Sequence, residues 1–349
     1  MKGKVLSWIK GKFLLSAAAL LLSVPAVSAQ LWLGADISGV SADEAHGRTF
    51  YDKDGNEADL FALMKDYGMN AIRLRVWVNP KDGFCSPSDV LEMARRAQDV
   101  GLPVMIDFHY SDWWADPGKQ NIPEAWKDMS VEEMSSALYD HTRETLELLR
   151  DNGIEVPWVQ VGNETTHGFL WPVGRIEENP QNYAMLTQAG YDAVKEVYPD
   201  AQVIVHLDNG FDADLYDRVF DILQENGTRW DIIGMSVYPY WAMEGKLRPD
   251  AESTLNDAIA NAQRLYEKYG TNVMITEVGV DAREPEKGRD FMIQLFDKVI
   301  DESNGSIMGV FYWAPEINAD ADYHLGAFDK DRPTVILDAF RIASEKAGN

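Results

Sequence analysis

The sequence predicts an α/β protein, a single-domain (β/α)8 TIM barrel over residues 30–349, and three observations carry that expectation. Eight short apolar runs alternate with helix-like segments along the chain. No glycine-rich phosphate loop follows the first run, which argues against a doubly wound sheet. Polar side chains gather at the C-terminal ends of the runs, the end at which a barrel collects its functional residues.

The runs, in order, are LWLGADIS, NAIRLRVWV, PVMIDFHY, PWVQVGNE, QVIVHLDN, DIIGMSVYP, NVMITEVG and IMGVFYWAP. Each is long enough for one buried strand and too short for a helix. Between them lie amphipathic stretches such as SDVLEMARRAQDVG and STLNDAIANAQRLYEKYG. Both place basic residues in a last turn and then a glycine, a common helix stop. No short repeat, low-complexity tract or Pro/Gly/Ser-rich linker divides the chain.

Residues 1–29 are set apart. Lys2, Lys4, Lys10 and Lys12 precede an apolar segment from Phe13 to Val24, and Val27-Ser28-Ala29 supplies a small-residue cleavage pattern. This is the layout of a secretory signal peptide, with an apolar part shorter than the roughly 20 residues of a membrane span. The protein is therefore expected to be exported, to the periplasm, the cell surface or the medium, with no membrane insertion after cleavage. The single cysteine, Cys85, rules out an intrachain disulfide.

The formal charge is −25, and loss of four lysines with residues 1–29 would deepen it by four. Such a surface repels nucleic acid and anionic membranes. A neutral polymer is unaffected by that field. Eleven tryptophans and fourteen tyrosines provide flat rings that can stack on sugars as well as fill a core. Nothing in the chain calls for an oligomer, and a monomer is expected.

The polar strand-end residues are Asp36, Arg75, His109, Asn163, Glu164, His206, Asp208, Asn209, Tyr238, Glu277 and Trp313. Any one can be a satisfied structural group. Their convergence from all eight strands favours a site. Glu164 ends the fourth run and Glu277 the seventh, and two carboxyl groups facing each other across a barrel mouth can cleave a glycosidic bond. One donates a proton to the leaving oxygen while the other attacks the anomeric carbon or activates water.

The segments GADIS, IRLRVWVNP, IDFHYSDWWADPGKQNIPEAW, GNETTHGFLWPVG, VHLDNG, SVYPYW, ITEVG and FYWAP extend from the first strand to the eighth. Together they resemble glycoside hydrolase family 53, the endo-β-1,4-galactanases, within the clan A retaining enzymes. The resemblance implies Glu164 as general acid/base, Glu277 as nucleophile and Asn163 as the partner of the sugar 2-hydroxyl. It further implies Arg75 and Tyr238 as donors to Glu277, with Arg75 preferred to Arg73 because it lies nearer the strand end. The substrate would be neutral β-1,4-galactan, with no cofactor.

Further substrate-binding candidates are Asp112, Trp114 and Asp116 after the third strand, with Trp77, Trp171 and Trp313 as sugar platforms. His109 and His206 are read as hydrogen-bonding wall residues. The chain departs from the family in reading Trp313-Ala314-Pro315-Glu316 where Trp-Glu-Pro is common, and in a short following loop. Asp320, Asp322 and Asp329 in that loop offer oxygens for calcium, but its shortness favours a solvated acidic loop with no metal. A mannanase or cellulase of the same clan would share both glutamates, and a non-catalytic sugar-binding barrel would typically lose one. A metal-dependent hydrolase would need a tighter His/Asp cluster than this sequence holds.

Overall fold

The computed structural model describes residues 30–349; the segment read as a secretion signal lies outside the described residues. Eight parallel strands close into a barrel: β1 (Trp32–Asp36), β2 (Ala71–Val76), β3 (Val104–Phe108), β4 (Trp158–Val161), β5 (Gln202–Leu207), β6 (Ile232–Val237), β7 (Asn272–Val278) and β8 (Ile307–Trp313). Each pairs with its neighbours in sequence, and β8 closes on β1 with Trp313 beside Asp36. All eight predicted runs are barrel strands, with ends within a few residues of the runs read.

Eight helices follow the strands: α1 (Leu60–Asp66), α2 (Pro87–Asp99), α3 (Val131–Asp151), α4 (Pro180–Val197), α5 (Ala213–Glu225), α6 (Ala251–Tyr269), α7 (Pro285–Asp301) and α8 (Asp338–Ala347). Their starts are chemically marked. Ser130 and Glu133 form a reciprocal capping box on α3, and Asp59, Ser86, Asp212 and Asp250 cap α1, α2, α5 and α6. The glycine predicted to stop α6 is Gly270, in the left-handed region at φ 70°. Among the described residues no helix is long and apolar enough to cross a membrane.

The core has two shells. One lies between strands and helices and takes residues such as Ile72, Leu74, Val159 and Ile275. The other fills the lower barrel with Ala71, Met105, Trp158, Ile204, Ile232, Met274 and Phe311. Strand alternation then carries the next inward positions towards the mouth.

One irregularity decides where a key side chain points. Met274 faces inward and Ile275 outward, so strict alternation would turn Glu277 away from the interior. The pairing of β6 with β7 slips between Met235–Ile275 and Ser236–Glu277. That slip restores Glu277 to the inside, as bulges near functional sites commonly do.

Candidate active site

The mouth of the barrel holds a cavity of about 610 Å³ lined by residues from β3 to β8 and their following loops, among them His109, Trp114, Asn163, Glu164, Tyr238, Glu277 and Trp313. The two glutamates share this cavity but not the same partners. Glu277 sits 2.9 Å from the Arg73 guanidinium and accepts a 3.0 Å hydrogen bond from the Tyr238 hydroxyl. Glu164 accepts one hydrogen bond, from Ser236 Oγ at 2.7 Å, and has no ion pair among the described residues. Its backbone is left-handed, at φ 45°, a conformation that costs a non-glycine residue about 1–3 kcal/mol and is common at functional sites.

Burial pushes both carboxyls up. Glu164, desolvated and facing Glu277 and Asp208, is held well above the ordinary carboxylate range. Glu277 is pushed up to about 7, with Arg73 and Tyr238 opposing the effect of burial. The shared proton therefore belongs on Glu164, the member without a cation.

Arg73 is the correction to the expected donor set. It is fully buried and pairs with Asp36 (2.8 Å), Asp107 (2.9 Å) and Glu277 (2.9 Å). Arg75 faces the same interior but one layer higher. Its plane lies over the rings of Trp114 at 3.8 Å and Trp77 at 4.6 Å, with Nη2 3.3 Å from Cys85 Sγ. An arginine reaches several ångströms beyond its Cα, so the deeper of two inward arginines serves the carboxylate above it.

Asn163 is held on both ends: Oδ1 accepts from Arg73 at 2.9 Å and Nδ2 donates to Ala115 O at 2.9 Å, which leaves one amide hydrogen free. Tyr238, Trp114, Asp116, Asp208, Asn209 and Trp313 line the cavity as expected from their positions. Asp208 accepts from Thr166 and from Asn209.

His109 also lines it, but Nδ1 accepts the Ala115 N–H and Nε2 donates to Asp107, so neither nitrogen is spare. Desolvation lowers its basicity. His206 is fully buried behind the wall and likewise held well below its ordinary value by burial and Arg73.

Besides Arg75 and His206, four more expected binding residues lie outside this cavity. Asp36 serves Arg73 and Ser38, with 2 % of its surface exposed. Asp112 accepts the backbone amides of Asn79 and Glu124, one on each oxygen and both at 2.9 Å, and so braces the loop after β3. Trp77 is buried behind Trp113 and Trp114. Trp171 packs on Arg175, with its indole N–H on His167 O, away from the cavity.

The sequence reading missed Ser236, Tyr323, Trp241 and Lys119, all of which line the cavity. Ser236 stands two residues before Tyr238 at the end of β6, the strand period, so a signal for Ser236 existed. Tyr323 comes from the loop after β8, where no period applies.

A second hollow of about 480 Å³ adjoins the first and shares Trp114, Trp313 and Tyr323 with it. Asp320, Asp322 and Asp329 are exposed in the loop after β8, and among the described residues no group of three His, Cys, Asp or Glu is placed to hold a metal.

Residues 32–332 match the model of glycosyl hydrolase family 53. An uncharacterised protein in the bgaB 5′ region of Niallia circulans is 36 % identical over 252 residues, spanning 70 % of this chain and 66 % of its own length. The endo-β-1,4-galactanase of Bacillus subtilis is 30 % identical over 311 residues, covering 81 % of this chain and 69 % of that one. Among solved structures, the GH53 catalytic domain of Ignisphaera aggregans superposes with a TM-score of 0.81 at 29 % identity, over 92 % of this chain and 98 % of its own. A fungal β-1,4-galactanase does so with a TM-score of 0.80 at 28 % identity, over 90 % and 99 %. The chain belongs to glycosyl hydrolase family 53.

Proposed function

We propose that this glycoside hydrolase cleaves β-1,4-linked galactan, such as type I arabinogalactan side chains of pectin, internally and with retention of configuration. The observation that carries this reading is the inequality of the two mouth carboxyls. Glu277, beside Arg73 and Tyr238, is the one equipped to stay ionised and attack the anomeric carbon. Glu164, with a hydroxyl as its only carboxyl partner among the described residues, is the one equipped to bring a proton to the leaving oxygen.

In the first step the bond from anomeric carbon to glycosidic oxygen breaks as Glu277 bonds the carbon and the Glu164 proton moves to the departing oxygen. In the second, Glu164 takes a proton from water, whose oxygen displaces Glu277 and restores both carboxyls. The free Asn163 amide hydrogen suits the sugar 2-hydroxyl, a contact that strengthens in the transition state. Two carboxyls and their donors suffice for this chemistry without a cofactor.

The linkage is suggested by the galactanase relatives, and internal cleavage by the adjoining hollows, which together offer room for successive sugars. Export rests on residues 1–29.

A time course of oligosaccharides from linear β-1,4-galactan, with the product anomer assigned by NMR and mannan as control, tests linkage, mode and stereochemistry together. The expected result is mixed oligosaccharides released first as the β anomer. Release of the α anomer, or preference for mannan, overturns the reading. E164Q and E277Q should each lower kcat on galactan by at least about 100-fold while the protein stays folded. Near-normal turnover in either removes its role.

A further inference from the structure

We infer that Ser236, aimed by His206, is a positioning residue that grips Glu164 by Oε1 and leaves Oε2 as the oxygen that carries the catalytic proton. The inference deepens the reading of Glu164 as acid/base and rests on it.

The directions of the hydrogen bonds follow from one backbone hydrogen. The Glu164 N–H points at His206 Nδ1 at 3.4 Å, and Gln160 Nε2 approaches the same nitrogen at 3.1 Å. Asn163 Oδ1 also lies 3.2 Å from Nδ1, but that oxygen already accepts from Arg73, and with two N–H groups turned towards it Nδ1 is assigned the lone pair, since a hydrogen there would face the amide hydrogen. His206 is neutral in this buried setting, so its one ring hydrogen sits on Nε2. Nε2 lies 2.8 Å from Ser236 Oγ and donates to it. With its oxygen accepting from His206, the serine hydroxyl is turned to donate to Glu164 Oε1 at 2.7 Å. The chain amide of Glu164 thus orients the imidazole that orients the hydroxyl holding its own carboxyl.

The other carboxyl oxygen is free. Oε2 accepts no hydrogen bond among the described residues, and Glu164 lines the cavity. In the first step the O–H bond at Oε2 breaks as one forms on the leaving oxygen, with Oε1 anchored throughout. Ser236 is 1 % exposed, with Oγ between His206 Nε2 and Glu164 Oε1. Tyr238, two residues on and just past the end of β6, does for Glu277 what Ser236 does for Glu164. The C-terminal end of β6 and the residue after it present a hydroxyl to each of the two carboxyls.

S236A tests this. On galactan, kcat should fall roughly 10- to 100-fold with KM nearly unchanged, because substrate contacts remain while proton delivery loses its geometry. Loss of a donor to the carboxylate should also move the alkaline limb of kcat/KM upward in pH. On a 2,4-dinitrophenyl β-galactobioside, whose leaving group needs no proton, kcat/KM should stay within about threefold of wild type. S236C, close in size and a weak donor, should change galactan turnover in the same direction, which covers the case of S236A failing to fold. Wild-type turnover in both variants, equal loss on both substrates, or an unmoved alkaline limb overturns the inference. E164A separates the two levels. If E164A also fails to spare the activated substrate's kcat/KM, the acid/base reading itself falls; if it spares it while S236A behaves as wild type, only the role of Ser236 is lost.

Discussion

The lower and upper halves of the barrel interior are built on the same strands, often two residues apart, and they differ in almost every physical respect. Below, Ala71, Met105, Trp158 and Ile204 pack as an apolar plug with Phe311 over Gly34, where even a Cβ would lie 2.3 Å from the ring. One step up, the same strands present Arg73, Asp107, Gln160 and His206, joined by hydrogen bonds and ion pairs. The plug closes the barrel and needs no orientation beyond shape. The polar layer has little shape tolerance, since each buried polar group left unpaired costs about 1–3 kcal/mol and a buried charge more. Stability and chemistry are thus separated by about two residues of strand.

Breaking the polar layer at its centre should have the largest effect. R73M leaves Asp36, Asp107 and Glu277 facing one another without their cation, at a cost of about 3–5 kcal/mol. It should also lower kcat/KM by on the order of 1,000-fold, because Glu277 is then driven to its neutral form. F311A should cost a similar 3–5 kcal/mol through the cavity it opens. In that case kcat, KM and the pH profile of the folded enzyme should hardly move. Urea unfolding paired with kinetics on the same samples distinguishes the two layers. Equal catalytic damage from both variants would dissolve the distinction.

How much of this was readable in the sequence follows the same division. The strands were legible because buried parallel strands are apolar runs, and the strand ends were legible because polar residues stand out there. Depth was not. Arg73 and Arg75 share a face and a composition, and only the length of the side chain places the deeper one under Glu277. The slip in pairing that turns Glu277 inward is a relation between two strands, with no mark in either. Asp112 and Asp116 look alike in one loop, yet the first is consumed by two backbone amides and the second lines the cavity. Trp77 and Trp171 differ from Trp114 and Trp313 only in what covers them.

A carboxyl outside both layers sharpens the comparison. Glu316 is 2 % exposed, and among the described residues Oε2 has no hydrogen-bond partner. Arg48 reaches the Glu316 backbone oxygen rather than its carboxyl. Burial pushes this carboxyl up to about 8. Its folded value lies above the unfolded one, so its contribution to stability is intact below the ordinary carboxylate value and is lost as pH rises through about 8. E316Q should therefore match wild type at acid pH and exceed it by on the order of 5 kcal/mol at pH 9, read from denaturant midpoints. A pH-independent difference would place the proton elsewhere.

The mildest break is Y238F, which removes one donor from Glu277 and leaves Arg73 in place. A hydrogen bond to a charged group is worth about 1.5–3 kcal/mol, so kcat/KM on galactan should fall about 10- to 100-fold. The sign of the accompanying pH effect is set by the lost donor. The hydroxyl stabilises the ionised form of Glu277, and without it the carboxyl moves above its value of about 7. The acid limb of kcat/KM should shift upward, making the loss larger at pH 6 than at pH 8. Ser236 and Tyr238 would then act on opposite limbs of one profile: the alkaline limb for the hydroxyl on Glu164, the acid limb for the hydroxyl on Glu277. If Y238F moved the alkaline limb instead, the proton assignment between the two glutamates would have to be reversed.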